Sequence, residues 1–383
     1  MHICFLCNEY PPGPHGGVGS VTQTLGRTMA HLGHKVTSLG VYRREHLEEE
    51  QDQGVRVIRL PHTRIRGMGF LFNGRTLCRG LQRLTAEARI DVLEGPELSL
   101  APLMRTWPPT KIIRMHGGHH FFATTLGVTP RPWRCWLEKR TFCRAAHLCA
   151  VSRFVAETTR RVLELGERRI EILPNPVDTD RFCPRRDIPE DPGLIIFVGT
   201  VCEKKGVRQL VQAMPTILTA VPHAQLWIIG RDLRDAKTNE SFIDGLRRQI
   251  APEAFDHIHF KGIVENAALP LLLARGEILV YPSHMEAHPV AWLEGLAMGK
   301  PVVASETGPG SEIIEDGVSG LLCDPHNPHS IAEAVIRALK DRELRMRLGA
   351  AARTRAVSEF SMDKLVDRNV KFYQRCLEGK SSE

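Results

Sequence analysis

Short apolar runs alternate with amphipathic stretches along nearly the whole chain, and that alternation restricts the fold more than any other property of the sequence. Residues 2–7, 36–41, 55–60, 91–94, 111–115, 147–151 and 170–173 read as strands. Helical spacing of apolar residues over 18–32, 75–87, 133–144 and 154–165 fills several of the gaps. Such a rhythm implies a parallel sheet with helices covering both faces. It breaks in a proline-dense stretch, Pro174 to Pro184 and on through Pro189 and Pro192, which reads as a linker. It then resumes at 193–198, 225–229, 257–260, 277–281, 301–304 and 320–323. At 383 residues the chain exceeds the size at which a single core keeps growing. The expectation is an α/β protein of two doubly wound domains, 1–184 and 185–360, with 361–383 packing back on the first. Residues 331–377 read as almost continuous surface helix, with Arg337, Arg342, Arg345, Arg353 and Arg355 exposed.

Bulk properties exclude some classes. Apolar residues at 42% and charged residues at 25% fit a globular protein rather than a disordered one. The surplus of +7 favours anionic ligands or an anionic surface. The opening residues lack a basic region, and no segment reaches the ~18 apolar residues of a membrane span, so a cytoplasmic protein is expected. Cys4 and Cys7 form a Cys-x-x-Cys, but within an apolar strand they point to opposite faces and read as buried reduced thiols.

Several clusters carry chemistry. Glu286 and Glu294 flank Pro289, one at a strand end and one within the next helix, and carboxylates there suit a ligand rich in hydroxyls. Taken alone, the pair favours the reading of an exposed loop acid and an ordinary helix glutamate. Gly199-Thr200-Val-Cys-Glu-Lys204-Lys205-Gly206 follows an apolar strand and opens a helix. Its glycines permit close backbone approach, and lysines at a helix start oppose the dipole, which a bound anion would explain. Gly16-Gly17-Val-Gly19 follows the first strand, and His116 ends the strand 111–115, where side chains of such sheets reach ligands. Asp178-Thr-Asp180 imitates a metal motif yet lies among turn-forming residues. His116, His119 and His120 have no carboxylate or cysteine at familiar metal spacing. Arg131-Pro-Trp-Arg-Cys-Trp136, with Arg64, Arg66, Arg75, Arg79 and Arg83, suits either peripheral contact at the inner membrane face or an ordinary solvated surface. No motif supports nucleic-acid binding.

These motifs, with Gly299-Lys-Pro-Val-Val-Ala-Ser, Glu312-Ile-Ile-Glu-Asp-Gly317, His116-Gly117, Val151-Ser152 and Asn175-Pro-Val-Asp178, occur in one order over nearly the whole chain. In that order the chain resembles glycosyltransferase family 4. The resemblance implies a GT-B fold, two Rossmann-like domains facing across a cleft, and retaining transfer of a hexose-type sugar from a nucleoside-diphosphate sugar to an acceptor hydroxyl. The acceptor would be a glycan, glycolipid or small molecule, as in bacterial polysaccharide or glycolipid synthesis. It implies that Lys205 neutralises the diphosphate, Glu286 holds the sugar, Glu294 holds the ribose, and the backbone near Ile263 meets the nucleobase. The amides of Val290 and Ala291 would face the diphosphate, Gly16 and Gly17 the donor phosphate and acceptor, and His116 the transferred sugar. No metal or other cofactor is expected. The sequence departs from the pattern at Thr200, where an arginine usually joins the lysine, so either another cation such as Lys204 or Arg231 substitutes or leaving-group stabilisation is weaker. A sugar-nucleotide epimerase and a non-catalytic sugar-nucleotide-binding protein are the alternatives.

Overall fold

The computed structural model describes residues 1–12, 16–43, 49–63, 68–234 and 239–379, and Arg64 and Arg66 lie outside them. The chain divides into two compact units, 1–176 with 362–383, and 177–361.

Unit 1 is built on eight strands: β1 (His2–Leu6), β2 (Lys35–Tyr42), β3 (Glu49–Asp52), β4 (Val55–Pro61), β5 (Val92–Gly95), β6 (Thr110–Met115), β7 (His147–Ala150) and β8 (Ile170–Ile172). Their order is β3-β4-β2-β1-β5-β6-β7-β8, parallel throughout except for the β3–β4 pair. The antiparallel edge strand is the element the apolar pattern misses. Its sequence, Glu-Glu-Gln-Asp, is polar, and cross-strand ion pairs hold it: Arg56 with Glu49 at 2.7 Å and Arg59 with Glu50 at 2.6 Å. The direction of winding reverses between β1 and β5, where Ile3 pairs with Val92.

The final helix, Met362–Leu377, packs within unit 1 rather than following the rest of the second series. Its buried face meets a charged cluster inside the sheet. Arg114 on β6 forms a two-pronged pair with Glu94 on β5 at 2.7 and 3.2 Å, and Tyr373 donates to the same carboxylate at 2.8 Å. Asn369 accepts from the Arg114 guanidinium. Burial opposes the guanidinium's charge, but Glu94 and its neighbours more than offset this and raise its pKa further. Cys4 and Cys7 are both buried free thiols, pushed up to about 12 and about 11 by burial.

Unit 2 contains β9 (Leu194–Val198), β10 (Gln225–Ile229), β11 (Ile258–Gly262), β12 (Ile278–Tyr281), β13 (Val302–Ser305) and β14 (Leu321–Cys323). All pair in parallel, in the order β11-β10-β9-β12-β13-β14. The first strand of the series therefore lies beside the fourth, and the reversal falls between β9 and β12. In sheets wound this way, loops leaving the carboxyl ends on either side of the reversal converge on ligands.

The proline-dense stretch differs from the expected linker. Val177 and Phe182 are buried, and Arg353 donates to the carbonyls of Thr179, Phe182 and Ala297 at 2.8 to 2.9 Å, so these residues are a packed segment of unit 2. Arg353 is thus not a solvated residue. Arg345 likewise pairs with Glu277 at 2.5 Å, and Arg355 donates to the carbonyls of Glu312 and Ile313 at 2.9 and 2.8 Å. The helical tail resolves into three helices, Pro328–Lys340, Arg342–Glu359 and Met362–Leu377. Asp341 ends the first and caps the second through the amide of Leu344 at 2.9 Å. Among the described residues no helix is long and apolar enough to cross a membrane.

Candidate active site

The reversal point of unit 2 brings together the loop after β9 and the loop after β12. Gly206 has φ of +68°, and a Cβ there would lie 1.8 Å from the carbonyl oxygen of Pro282, so only glycine lets the two loops touch. Gly230 permits the same close approach in the neighbouring loop after β10, where a Cβ would meet the Gly199 carbonyl at 1.9 Å. The amide of His284 then bonds to the Lys204 carbonyl at 2.9 Å and locks the loops after β9 and β12 together.

This contact sets Lys205, in the short turn Glu203–Lys205, against Glu286, and the ammonium donates directly to the carboxylate. Glu286 is 8% exposed. Burial pushes its carboxyl up, but Lys205, Lys204 and the Ser283 hydroxyl outweigh burial and hold it below the ordinary carboxylate range. For Lys204 burial dominates and lowers the ammonium pKa, while Glu286 works against it. The positive charge at the helix start therefore already has an anion, supplied by the chain's own Glu286. Sequence reasoning assigned that counter-charge to a ligand because the loop contact between distant segments is invisible in the linear order.

Past Glu286 the chain enters the helix Val290–Ala297 with Pro289 at its cap rather than inside it. No side chain caps this end, so the first-turn amides, Val290 and Ala291 among them, lack intrahelical acceptors. One turn on, Glu294 is half-buried, and burial pushes its carboxyl up to about 7 against the opposing pull of Arg181. Tyr281 at the end of β12 is fully buried beside it, with a hydroxyl that has no hydrogen-bond partner among the described residues.

Thr200 is half-buried in the loop after β9. The amide of Gly199 bonds to Ile229 and that of Val201 to Arg231, both at 2.9 Å, which runs Thr200 alongside the start of the loop after β10. Arg231 there is exposed. Ile263, just beyond β11, is 76% exposed.

Unit 1 has its own cluster at its own reversal point. Gly16 caps the helix Gly17–His31, and Glu9, from the loop after β1, accepts from the amide of Gly19 at 2.9 Å. A carboxylate thus sits at the helix end that the sequence assigns to donor phosphate and acceptor. His116 follows β6 directly, and its amide donates to Glu97 at 2.7 Å. Glu97 is buried just beyond β5, and burial, with Glu138 nearby, pushes its carboxyl up to about 8 despite amide donors from His116 and Gly117. Sequence reasoning passed over Glu97 and Glu138. Position could have found the first, since Glu97 follows the strand next to the reversal.

The two lookalike motifs resolve into local structure. Asp178 accepts from the amides of Asp180 and Arg181 at 3.1 and 2.9 Å, an ordinary side-chain turn. His119 accepts from the Arg131 amide at 2.7 Å and His120 pairs with Glu138, so these two imidazoles serve different partners. Among the described residues no three His, Cys, Asp or Glu side chains are grouped to hold a metal ion.

Comparison with known proteins bears on both units. Residues 178–355 match the family described as glycosyl transferases group 1, and residues 15–181 match the one described as Glycosyltransferase Family 4. A glycogen synthase of Mycobacterium tuberculosis is 26% identical, covering 99% of this chain and 96% of that protein. The GDP-mannose-dependent alpha-(1-6)-phosphatidylinositol monomannoside mannosyltransferase of the same organism is 25% identical, covering 97% of each. Among solved structures, the sucrose-phosphate synthase of Thermosynechococcus elongatus superposes with a TM-score of 0.86 at 19% identity, covering 99% of this chain and 100% of that one. Anabaena HepE, solved in complex with UDP and glucose, superposes with a TM-score of 0.76 at 15% identity, covering 98% and 99%.

Proposed function

The chain belongs to the family 4, group 1 glycosyltransferases and has the GT-B fold, and from that premise we propose that it is a retaining hexosyltransferase acting on a nucleoside-diphosphate sugar. The acceptor is a hydroxyl of a glycan or glycolipid in polysaccharide or glycolipid synthesis, and the reaction takes place in the cytoplasm. The observation that carries this reading is the Lys205–Glu286 pair beside the uncapped start of the helix Val290–Ala297.

Each group has a distinct task in this reading. The charge on a departing diphosphate is met by the Lys205 ammonium and by the amides of Val290 and Ala291, fixed donors aimed where negative charge develops. Glu286, kept ionised by its lysines, accepts from sugar hydroxyls and turns Lys205 toward the phosphate. Glu294 accepts from ribose hydroxyls, and the exposed face at Ile263 and the backbone beside it receive the base. Gly16, Gly17 and His116 are assigned to the phosphate, acceptor and transferred sugar, with Glu97 fixing the backbone at His116. No metal is required, because fixed cationic and amide donors supply the charge a divalent ion would bring. The acceptor is held on the face from which the diphosphate leaves, so catalysis is positioning and charge stabilisation.

Thr200 supports a second reading, a protein that binds nucleotide sugar without transferring it, since a hydroxyl brings no charge to the diphosphate. Incubation with a panel of nucleotide sugars, with and without acceptor saccharides and glycolipids, separates the readings. Transfer with the donor's anomeric configuration kept, followed by NMR, is the expected result. Inverted product overturns retention, epimerised donor without acceptor favours an epimerase, and binding without turnover on any acceptor favours the second reading.

A further inference from the structure

On unit 1, the helices Gly69–Glu87 and Pro132–Phe142, with the turn at Ala101 and Pro102, wall a groove of about 450 Å³. None of its lining residues belongs to the two loop clusters already described. Apolar side chains stand open to water around it: Leu71 is 55% exposed, Trp136 58%, and the adjoining Met68 and Trp133 47% and 54%. Isolated exposed apolar residues are ordinary, but several on adjacent helix turns around one groove mark an interaction surface.

Cations accompany them. Arg75, Arg79 and Arg83 are exposed at intervals of four, and among the described residues none has a carboxylate partner. Like charges stacked in this way destabilise a helix by a few tenths of a kcal/mol per pair, which an external anion reverses. Arg140 lies over the Trp136 ring at 5.4 Å and donates to the Ala101 carbonyl at 2.8 Å, and Arg134 lies over Trp133 at 5.3 Å. Each exposed tryptophan thus has one face occupied by guanidinium, which disfavours base stacking, and Leu71 and Met68 offer no ring. Nucleic acid fits this surface poorly. A water-soluble anion would satisfy the arginines and leave the apolar rim exposed, whereas a lipid surface satisfies both.

We propose that unit 1 docks on anionic phospholipid bilayers through this patch, with Arg75, Arg79 and Arg83 on headgroup phosphates and Leu71 and Trp136 at the acyl boundary. The surplus of +7 on the chain assists the approach. The inference stands independently of the donor chemistry, since it involves none of those residues.

Co-sedimentation of the full chain with phosphatidylcholine vesicles, with and without phosphatidylglycerol, is the test. The protein should pellet only where phosphatidylglycerol is present and be released by raised salt. Arg75→Gln with Arg79→Gln should weaken binding on the order of tenfold or more. Leu71→Ser with Trp136→Ala should also weaken it at unchanged charge, and both variants should keep the parent's melting temperature. Absence of sedimentation on anionic vesicles overturns the proposal, as does equal binding to neutral ones. Wild-type binding by the arginine variant overturns it, and so does wild-type binding by the apolar variant, which would reduce the contact to adsorption. Equally tight binding of a short oligonucleotide to the same arginines would also overturn it.

Discussion

The Lys205 ammonium donates to the Glu286 carboxylate across 81 residues of sequence, because Gly206 lets the loop after β9 rest on Pro282. Lys205→Ala should lower turnover roughly a hundredfold to a thousandfold, the usual cost of one donor at a developing charge. Circular dichroism should be unchanged. Wild-type kcat with nucleotide sugar would remove Lys205 from the leaving-group role.

Gly206→Ala forces a side chain into the space of the Pro282 carbonyl at a φ of +68°. The expected loss is about 2 kcal/mol or more of stability, read from denaturant unfolding, together with weaker nucleotide binding. An alanine variant as stable as the parent would mean that the two loops are not held together as described.

Glu294 is raised from its ordinary value to about 7, so the folded protein binds its proton more tightly than the unfolded chain does. The sign follows: stability contributed by this group is present below pH 4.5 and declines as pH rises from there to about 7, with no further change above. In the proposed role ribose hydroxyls would donate to the carboxylate, so nucleoside diphosphate binding should strengthen from about pH 6 to about pH 8 beyond the titration of the phosphate itself. Calorimetry on Glu294→Gln supplies the control, and an identical pH dependence in the two proteins would dismiss the ribose assignment.

The buried Arg114–Glu94 pair anchors the last helix through Tyr373 and Asn369. Arg114→Leu leaves Glu94 without its counter-charge and should cost about 3 to 5 kcal/mol of unfolding free energy. Tyr373→Phe, which removes the hydrogen bond to Glu94 and the longer one from Arg114, should cost about 1 to 2 kcal/mol. A reversed ranking in chemical denaturation would show that the hydroxyl, not the ion pair, holds the helix.

Transfer should persist after treatment with a chelator, since the lysine ammonium and the helix amides are the donors assigned to the diphosphate. Activity that is lost and then restored by added divalent metal would refute that assignment.

The sequence by itself determined the class of the fold, because parallel strands buried on both faces must be apolar along their length and helices must show a 3.6-residue stripe. It also determined which loops carry glycine, lysine and glutamate. It could not reveal β3, whose polar residues are held by cross-strand arginines, or that Arg345, Arg353 and Arg355 turn inward to organise carbonyls and the half-buried Glu277 carboxylate. Tertiary structure alone decided that Glu286 answers the charge of Lys205 and Lys204, and that Glu97 lies buried against the His116 amide. Ion pairs and desolvation depend on distances between segments far apart in the chain, and local periodicity carries no information about those distances.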